Sequence, residues 1–125
     1  MAKRGNPEAD AQRAIVRDLH LVLLPPFIVH CSVNEAGKAS RTAQAILQGM
    51  GVHAGFSDLL LLGPARLVLF LEVKSRTGQP SEDQLTFRDD VTAFGWPYEI
   101  VRTSQEAISA AVAHGFRTRI KGALP

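Results

Sequence analysis

Two carboxylates and a lysine stand where this chain turns from apolar to polar. Asp58 opens the run Leu59-Leu60-Leu61-Leu62, and Glu72-Val73-Lys74 closes the run Leu67-Val68-Leu69-Phe70-Leu71. Gly63-Pro64-Ala65-Arg66 lies between them. Apolar runs bounded by Gly and Pro read as central strands covered on both faces, and a connection this short makes them an antiparallel hairpin. Alternate residues of a strand share a face, so Glu72 and Lys74 point the same way. If Gly63 pairs with Leu67, the ladder sets Asp58 directly opposite Glu72, with side chains ~5 Å apart. Two carboxylates and an ammonium would then converge inside an apolar sheet. Buried ions are costly unless paired or metal-bound. The trio carries one surplus negative charge, which a hard cation such as Mg²⁺ would compensate through oxygen ligands. The competing reading is that strand-end charges simply reach solvent, and Glu-x-Lys is a common triplet. The site reading is strengthened by carboxylates on adjacent strands, each with an apolar run leading into it.

The elements that must position these residues can be read outward from the hairpin. Asn6-Pro7-Glu8 starts a helix: Asn6 caps it, Pro7 takes the first turn, and Glu8 favours its positive end. Ala11, Ile15, Leu19 and Val22 follow at helical spacing, and Pro25-Pro26 stops the element. Phe27 to Val33 alternates as a strand, with Asn34 to Gly37 as a turn. Ala39 to Gln48 predicts a second helix ending near Gly49 or Gly51. After the hairpin, Gly78-Gln79-Pro80 is a loop. Ser81-Glu82-Asp83-Gln84 has the spacing of a capping box, with Ser81 as cap and Gln84 as its partner. Phe87, Val91 and Phe94 form that helix's apolar stripe, and Gly95 ends it. Tyr98 to Arg102 predicts a short strand, and Ser104 caps a last helix to about Ala113. The order is α-β-α-β-β-α-β-α, an α/β fold with a mixed central sheet flanked by helices.

Composition narrows the class. A length of 125 residues predicts a single domain over 1–125. The apolar fraction of 46% and charged fraction of 21% exclude collagen-like, disulfide-scaffold and wholly disordered chains. No apolar run approaches the roughly 20 residues of a spanning helix, so no membrane partner is expected. Basic residues near the N-terminus are not followed by an apolar stretch, which argues against a signal peptide. With one cysteine, Cys31, a reducing intracellular and most simply cytoplasmic location is expected. The net charge of +2 does not announce a nucleic-acid binder. Its distribution says more: six acids against four bases from Asp58 to Asp90, then Arg117, Arg119 and Lys121 with no acid among the last ten residues. An acidic centre with basic flanks is compatible with a metal site beside a phosphate-binding rim, although on charge alone an ordinary solvated surface is the simpler reading.

Other motifs carry less. Gly49-Met50-Gly51 to Gly55 has the wrong spacing for a dinucleotide loop and precedes a strand rather than following one. His20, His30, His53 and His114 show no paired zinc spacing. His30 reads as a partly buried packing residue. Cys31, alternating with Phe27 and Val29, reads as core rather than nucleophile. No Gly-rich loop ends in Lys-Ser or Lys-Thr, against a nucleotide triphosphatase.

Gly55-Phe56-Ser57-Asp58-Leu59-Leu60-Leu61-Leu62, Phe70-Leu71-Glu72-Val73-Lys74 and Gly78-Gln79-Pro80-Ser81-Glu82-Asp83-Gln84 together resemble the VRR-NUC (virus-type replication-repair nuclease) group of the PD-(D/E)xK nuclease superfamily. The resemblance extends to the helix around Glu8 and Gln12, the Val33-Asn34-Glu35 turn and the Val101-Arg102-Thr103-Ser104 stretch. Ser57 departs from it, standing where the superfamily's motif has proline. The resemblance implies a restriction-endonuclease-like core. It implies that Asp58, Glu72 and the Val73 carbonyl hold Mg²⁺ or Mn²⁺, with Glu8 approaching from the first helix. Lys74 would position or deprotonate the attacking water, and Gln84 would sit on the helix behind the site. The implied activity is a metal-dependent DNA endonuclease leaving 5′-phosphates. Branched or four-way-junction DNA is the expected substrate and a homodimer the expected assembly. The alternatives are a catalytically silent DNA-binding module of the same fold and an RNA-directed nuclease.

Overall fold

The computed structural model of the chain describes residues 5–32 and 40–119. The elements run α1 (Pro7–Val22), β1 (Ile28–Cys31), α2 (Arg41–Gly49), β2 (Leu59–Gly63), β3 (Leu67–Val73), α3 (Glu82–Ala93), β4 (Tyr98–Val101) and α4 (Ser104–Ala113). The expected order and mixed sheet are therefore present. The turn expected at Asn34 to Gly37, the Val33-Asn34-Glu35 segment and Lys121 lie outside the described residues. Among the described residues no helix is long and apolar enough to cross a membrane.

The sheet is ordered β1-β2-β3-β4. The first two pairings are antiparallel and β3 pairs with β4 in parallel. The β2–β3 register runs from Gly63↔Leu67 to Leu59↔Leu71, the ladder expected from the sequence. The three connecting residues include Ala65 and Arg66, with φ of 57° and 65°. These left-handed residues let so short a loop reverse the chain.

Parity assigns each strand residue to a face. Leu59, Leu61, Leu69, Leu71, Val73 and Val101 point to one side, where they pack with Ile15, Leu19 and Leu23 from α1 and its end, and with Ala107, Ile108 and Ala111 of α4. That is the main core. On the other face Phe70, Tyr98 and Ile100 meet Phe87 and Val91 of α3, with Phe56 joining from the loop before β2. The rings of Phe56 and Phe87 are 4.7 Å apart, and those of Phe70 and Phe87 are 5.6 Å apart edge-to-face. Such aromatic pairs stabilise by about 0.5–1.5 kcal/mol beyond their burial. This second, smaller cluster fixes α3 over β3 and β4.

Several expectations need correction. The hairpin is not fully covered: Leu62 is exposed and Leu60 half-buried, so β2 is covered on one face only. His30 and Cys31 are both exposed rather than packed. β1 is the sheet edge and only four residues long, so alternation gives the face of each side chain but not a covering layer. Cys31 receives a contact from the Gln12 amide at 3.1 Å instead of entering the core. Thr103, not Ser104, caps α4, accepting from the Glu106 N–H at 3.1 Å.

Candidate active site

Asp58 lies one residue before β2, on the rung beyond Leu59↔Leu71, and so faces Glu72. Its backbone carbonyl accepts from the Ser32 N–H at 2.9 Å, and its Oδ2 accepts from the Val73 N–H at 2.8 Å. Asp58 is thus locked between both neighbouring strands. Ser57 is buried, and its hydroxyl donates to the Leu59 carbonyl at 3.0 Å. That bond braces the first residue of β2.

Glu72 is fully buried, with a relative exposure of 0%, and Lys74 two residues on is 7% exposed. The Lys74 ammonium sits 3.9 Å from Glu72 Oε2 and 3.6 Å from Glu8 Oε2. Lys74 therefore bridges β3 and α1. Glu8 comes to the site through this contact. Among the described residues, no group of three His, Cys, Asp or Glu is placed to hold a metal ion by itself.

Gln84 joins its two expected readings in one side chain. Its Oε1 accepts from the Ser81 N–H at 2.9 Å while its own N–H donates to Ser81 Oγ at 3.2 Å, closing the capping box. That leaves the amide Nε2 facing the sheet, where it donates to Glu72 Oε2 at 2.5 Å. The cap orients the amide, and the amide positions the carboxyl.

Burial pushes the Glu72 carboxyl up to about 9, with the facing Asp58 adding to the rise and Lys74 opposing it. The two carboxyls come within hydrogen-bond reach when Glu72 is protonated, and Glu72 Oε1 is buried with no N–H or hydroxyl donor among the described residues. An orphaned buried oxygen costs about 1–3 kcal/mol. The donor chemistry suits a small hard cation, which takes one or two carboxylates and keeps several waters. The facing carboxyls of Asp58 and Glu72 are donors of that kind.

The α3 end of the site depends on a close backbone approach. Gly55 has φ of 78°, and a Cβ there would collide with the Asp83 carbonyl. Loop and helix start can touch only because the side chain is absent. Gly55→Ala should destabilise the fold by more than about 1 kcal/mol, lowering the melting temperature by roughly 4 °C or more in a thermal melt. An unchanged melting temperature would show that this approach is not required.

Two residues of the same face were missed by sequence reasoning. Tyr98 pairs with Phe70, and its hydroxyl is buried without a hydrogen-bond partner among the described residues. Burial, reinforced by the charge of Glu72, raises its ionisation well above the ordinary tyrosine value. Arg102 follows β4 and reaches the turn after Lys74. The available signal was parity: once β3 and β4 pair in parallel, 98, 100 and 102 share the face of 70, 72 and 74. Two of the basic tail residues, Arg117 and Arg119, lie elsewhere. They pair through backbone bonds with Leu24 and Val22, about 20 Å along α1 from Glu8 at 1.5 Å per residue.

No protein-family model matches the chain, and no curated protein matches it. Among solved structures, one described as "VRR_NUC domain" is similar with a TM-score of 0.59 and 19% identity, over 89% of this chain and 99% of the other. A second, "VRR_NUC domain protein", gives a TM-score of 0.61 and 19% identity over 90% and 91%. The chain has the α/β fold of these VRR_NUC domains.

Proposed function

We propose that the protein is a divalent-metal-dependent DNA endonuclease that hydrolyses phosphodiester bonds to leave 5′-phosphates. The observation that carries this reading is the buried Glu72 facing Asp58, with one oxygen unpartnered and Lys74 beside it on the same strand face. A module that only bound nucleic acid would have no use for buried acids near phosphate. The fold likeness to VRR_NUC domains supports the same conclusion.

Asp58, Glu72 and the Val73 carbonyl would hold Mg²⁺ or Mn²⁺, with Glu8 contributing from α1 through its contact with Lys74. The ion, when bound, supplies charge neutralisation at the phosphate and a more acidic water. The chain's own residues do the rest. Val73 N–H holds Asp58 in place, and Gln84 holds Glu72. Lys74 offers a mobile ammonium to orient the attacking water and to meet charge developing on the phosphate oxygens. Burial keeps this charge–charge interaction strong.

We further propose a homodimer acting on branched or junction DNA. α2 buries none of its residues, and Ile46 and Met50 are 58% and 77% exposed. An amphipathic helix so exposed is suited to a second copy. The test is a cleavage panel of duplex, flap, splayed-arm and four-way-junction DNA, with molecular mass measured alongside. Mg²⁺ or Mn²⁺ should support cleavage, and Ca²⁺ should support binding with little turnover. Full activity in EDTA would refute the metal-dependent reading, and a monomer at working concentration would refute the dimer.

A further inference from the structure

Lys74 and Gln84 are on different elements, yet both must be held against Glu72. The segment between them is short and begins with a tight turn. Gly78 N–H donates back to the Ser75 carbonyl at 3.2 Å and to Ser75 Oγ at 3.1 Å. The turn's carbonyls face β4. There the Nη1 of Arg102 donates to both the Ser75 carbonyl at 2.6 Å and the Gly78 carbonyl at 2.7 Å. Arg102 is itself fixed, since its backbone N–H donates to Glu106 Oε1 at 2.7 Å. The preceding Val101 carbonyl accepts from the Lys74 N–H at 3.0 Å.

We infer that Arg102 is a positioning residue for the reaction: its guanidinium clamps the 75–78 turn and thereby sets Lys74 and Gln84 against Glu72. The inference rests on the proposed nuclease reading and adds a residue to it. Both bonds come from one nitrogen, whose two N–H groups are held in the guanidinium plane. A planar guanidinium presents fixed donors to two carbonyls at once, whereas an ammonium on a flexible stem presents a point charge. Charge-assisted bonds of this kind are about twice as strong as neutral ones. The turn also lies against Glu8, whose Oε2 would be 3.8 Å from a Cβ placed on Gly78. Loss of the clamp would therefore disturb Lys74, Gln84 and the Lys74–Glu8 contact together. A displacement of about 1 Å at a reacting group can cost on the order of 10²-fold in rate.

The test compares wild type, Arg102→Met and Arg102→Lys on the DNA of the panel that wild type cuts best. Single-turnover cleavage at saturating enzyme should fall at least about 10-fold in Arg102→Met and recover only partly in Arg102→Lys. DNA affinity in Ca²⁺, read by fluorescence anisotropy, should stay within about threefold, because a clamp on carbonyls makes no phosphate contact. Hydrogen exchange should accelerate over residues 75–81 while the β2–β3 amides stay protected. Methylguanidinium should restore part of the cleavage to Arg102→Ala and none to Lys74→Ala. Wild-type cleavage rates in Arg102→Met would overturn the inference, as would a defect confined to DNA affinity, which would make Arg102 a phosphate contact. If wild type cuts no DNA with Mg²⁺ or Mn²⁺, the nuclease reading fails, and unchanged exchange over 75–81 in Arg102→Met would separately refute the clamp.

Discussion

Glu72→Gln should lose cleavage by about 10³-fold, the upper scale for removing a group that organises transition-state charge, while melting no lower than wild type. The amide keeps the shape of the side chain and is neutral at every pH, so it removes the cost of holding a proton on a buried carboxyl. The pH dependence makes the expectation sharper. In metal-free protein the Glu72 carboxyl holds its proton up to about 9, against a starting value of 4.5. Between those values the folded state binds more protons than the unfolded chain, so stability falls as pH rises through the window. Wild type in EDTA should therefore melt progressively lower from pH 5 to pH 9. Glu72→Gln should lack that part of the slope. A cation must also displace this proton, so Mn²⁺ uptake at pH 7 should release close to one proton more from wild type than from the variant. Calorimetry in two buffers of different ionisation enthalpy reads that difference. A Glu72→Gln protein that cleaves normally, or that unfolds, would make Glu72 a structural residue.

Lys74→Ala should separate chemistry from metal binding. The ammonium cannot ligate a cation while protonated, and it lies within 4 Å of both Glu72 and Glu8. Removing it leaves more uncompensated negative charge beside the carboxylates. Mn²⁺ affinity, by calorimetric titration, should be kept or rise. Cleavage should nonetheless fall by about 10²-fold or more, the scale for losing a positioned acid–base or electrostatic group. Lys74→Arg should not restore it fully, since guanidinium has a different shape and reach. Near wild-type cleavage by Lys74→Ala would refute the role given to the lysine and point to a cation that serves the fold.

Much of this site was legible in the sequence because a hairpin is a simple geometric object. One pairing, Gly63 with Leu67, determines every other rung, and the strand period then brings Asp58 to Glu72. Gln84 was legible as a cap partner, while its place behind the site was only what the resemblance implied; its amide bonds both Ser81 and Glu72. What stayed hidden depended on which surfaces are covered or on backbone acceptors. Alternation placed Cys31 with Val29, but nothing in a strand's own residues says that it is an edge. Arg102 acts on carbonyls, which every residue carries, so no side-chain motif marks its target. Thr103 and Ser104 are adjacent hydroxyl residues with equal capping chemistry, and only the chain's path selects between them.

The hairpin turn has a further consequence. Pro64, Ala65 and Arg66 are exposed and lie five rungs from the carboxylate pair, roughly 17 Å at 3.3–3.4 Å per residue. Surface turns usually tolerate gained or lost residues better than any other part of a protein. Here the turn acts as a ruler. An insertion or deletion that shifted the register by one residue would bring Asp58 opposite Val73 or Leu71 in place of Glu72. Such a lesion would read genetically as an active-site knockout, although it touches no ionisable residue of the site. In lineages that keep the activity, the length of this turn should drift far less than its composition.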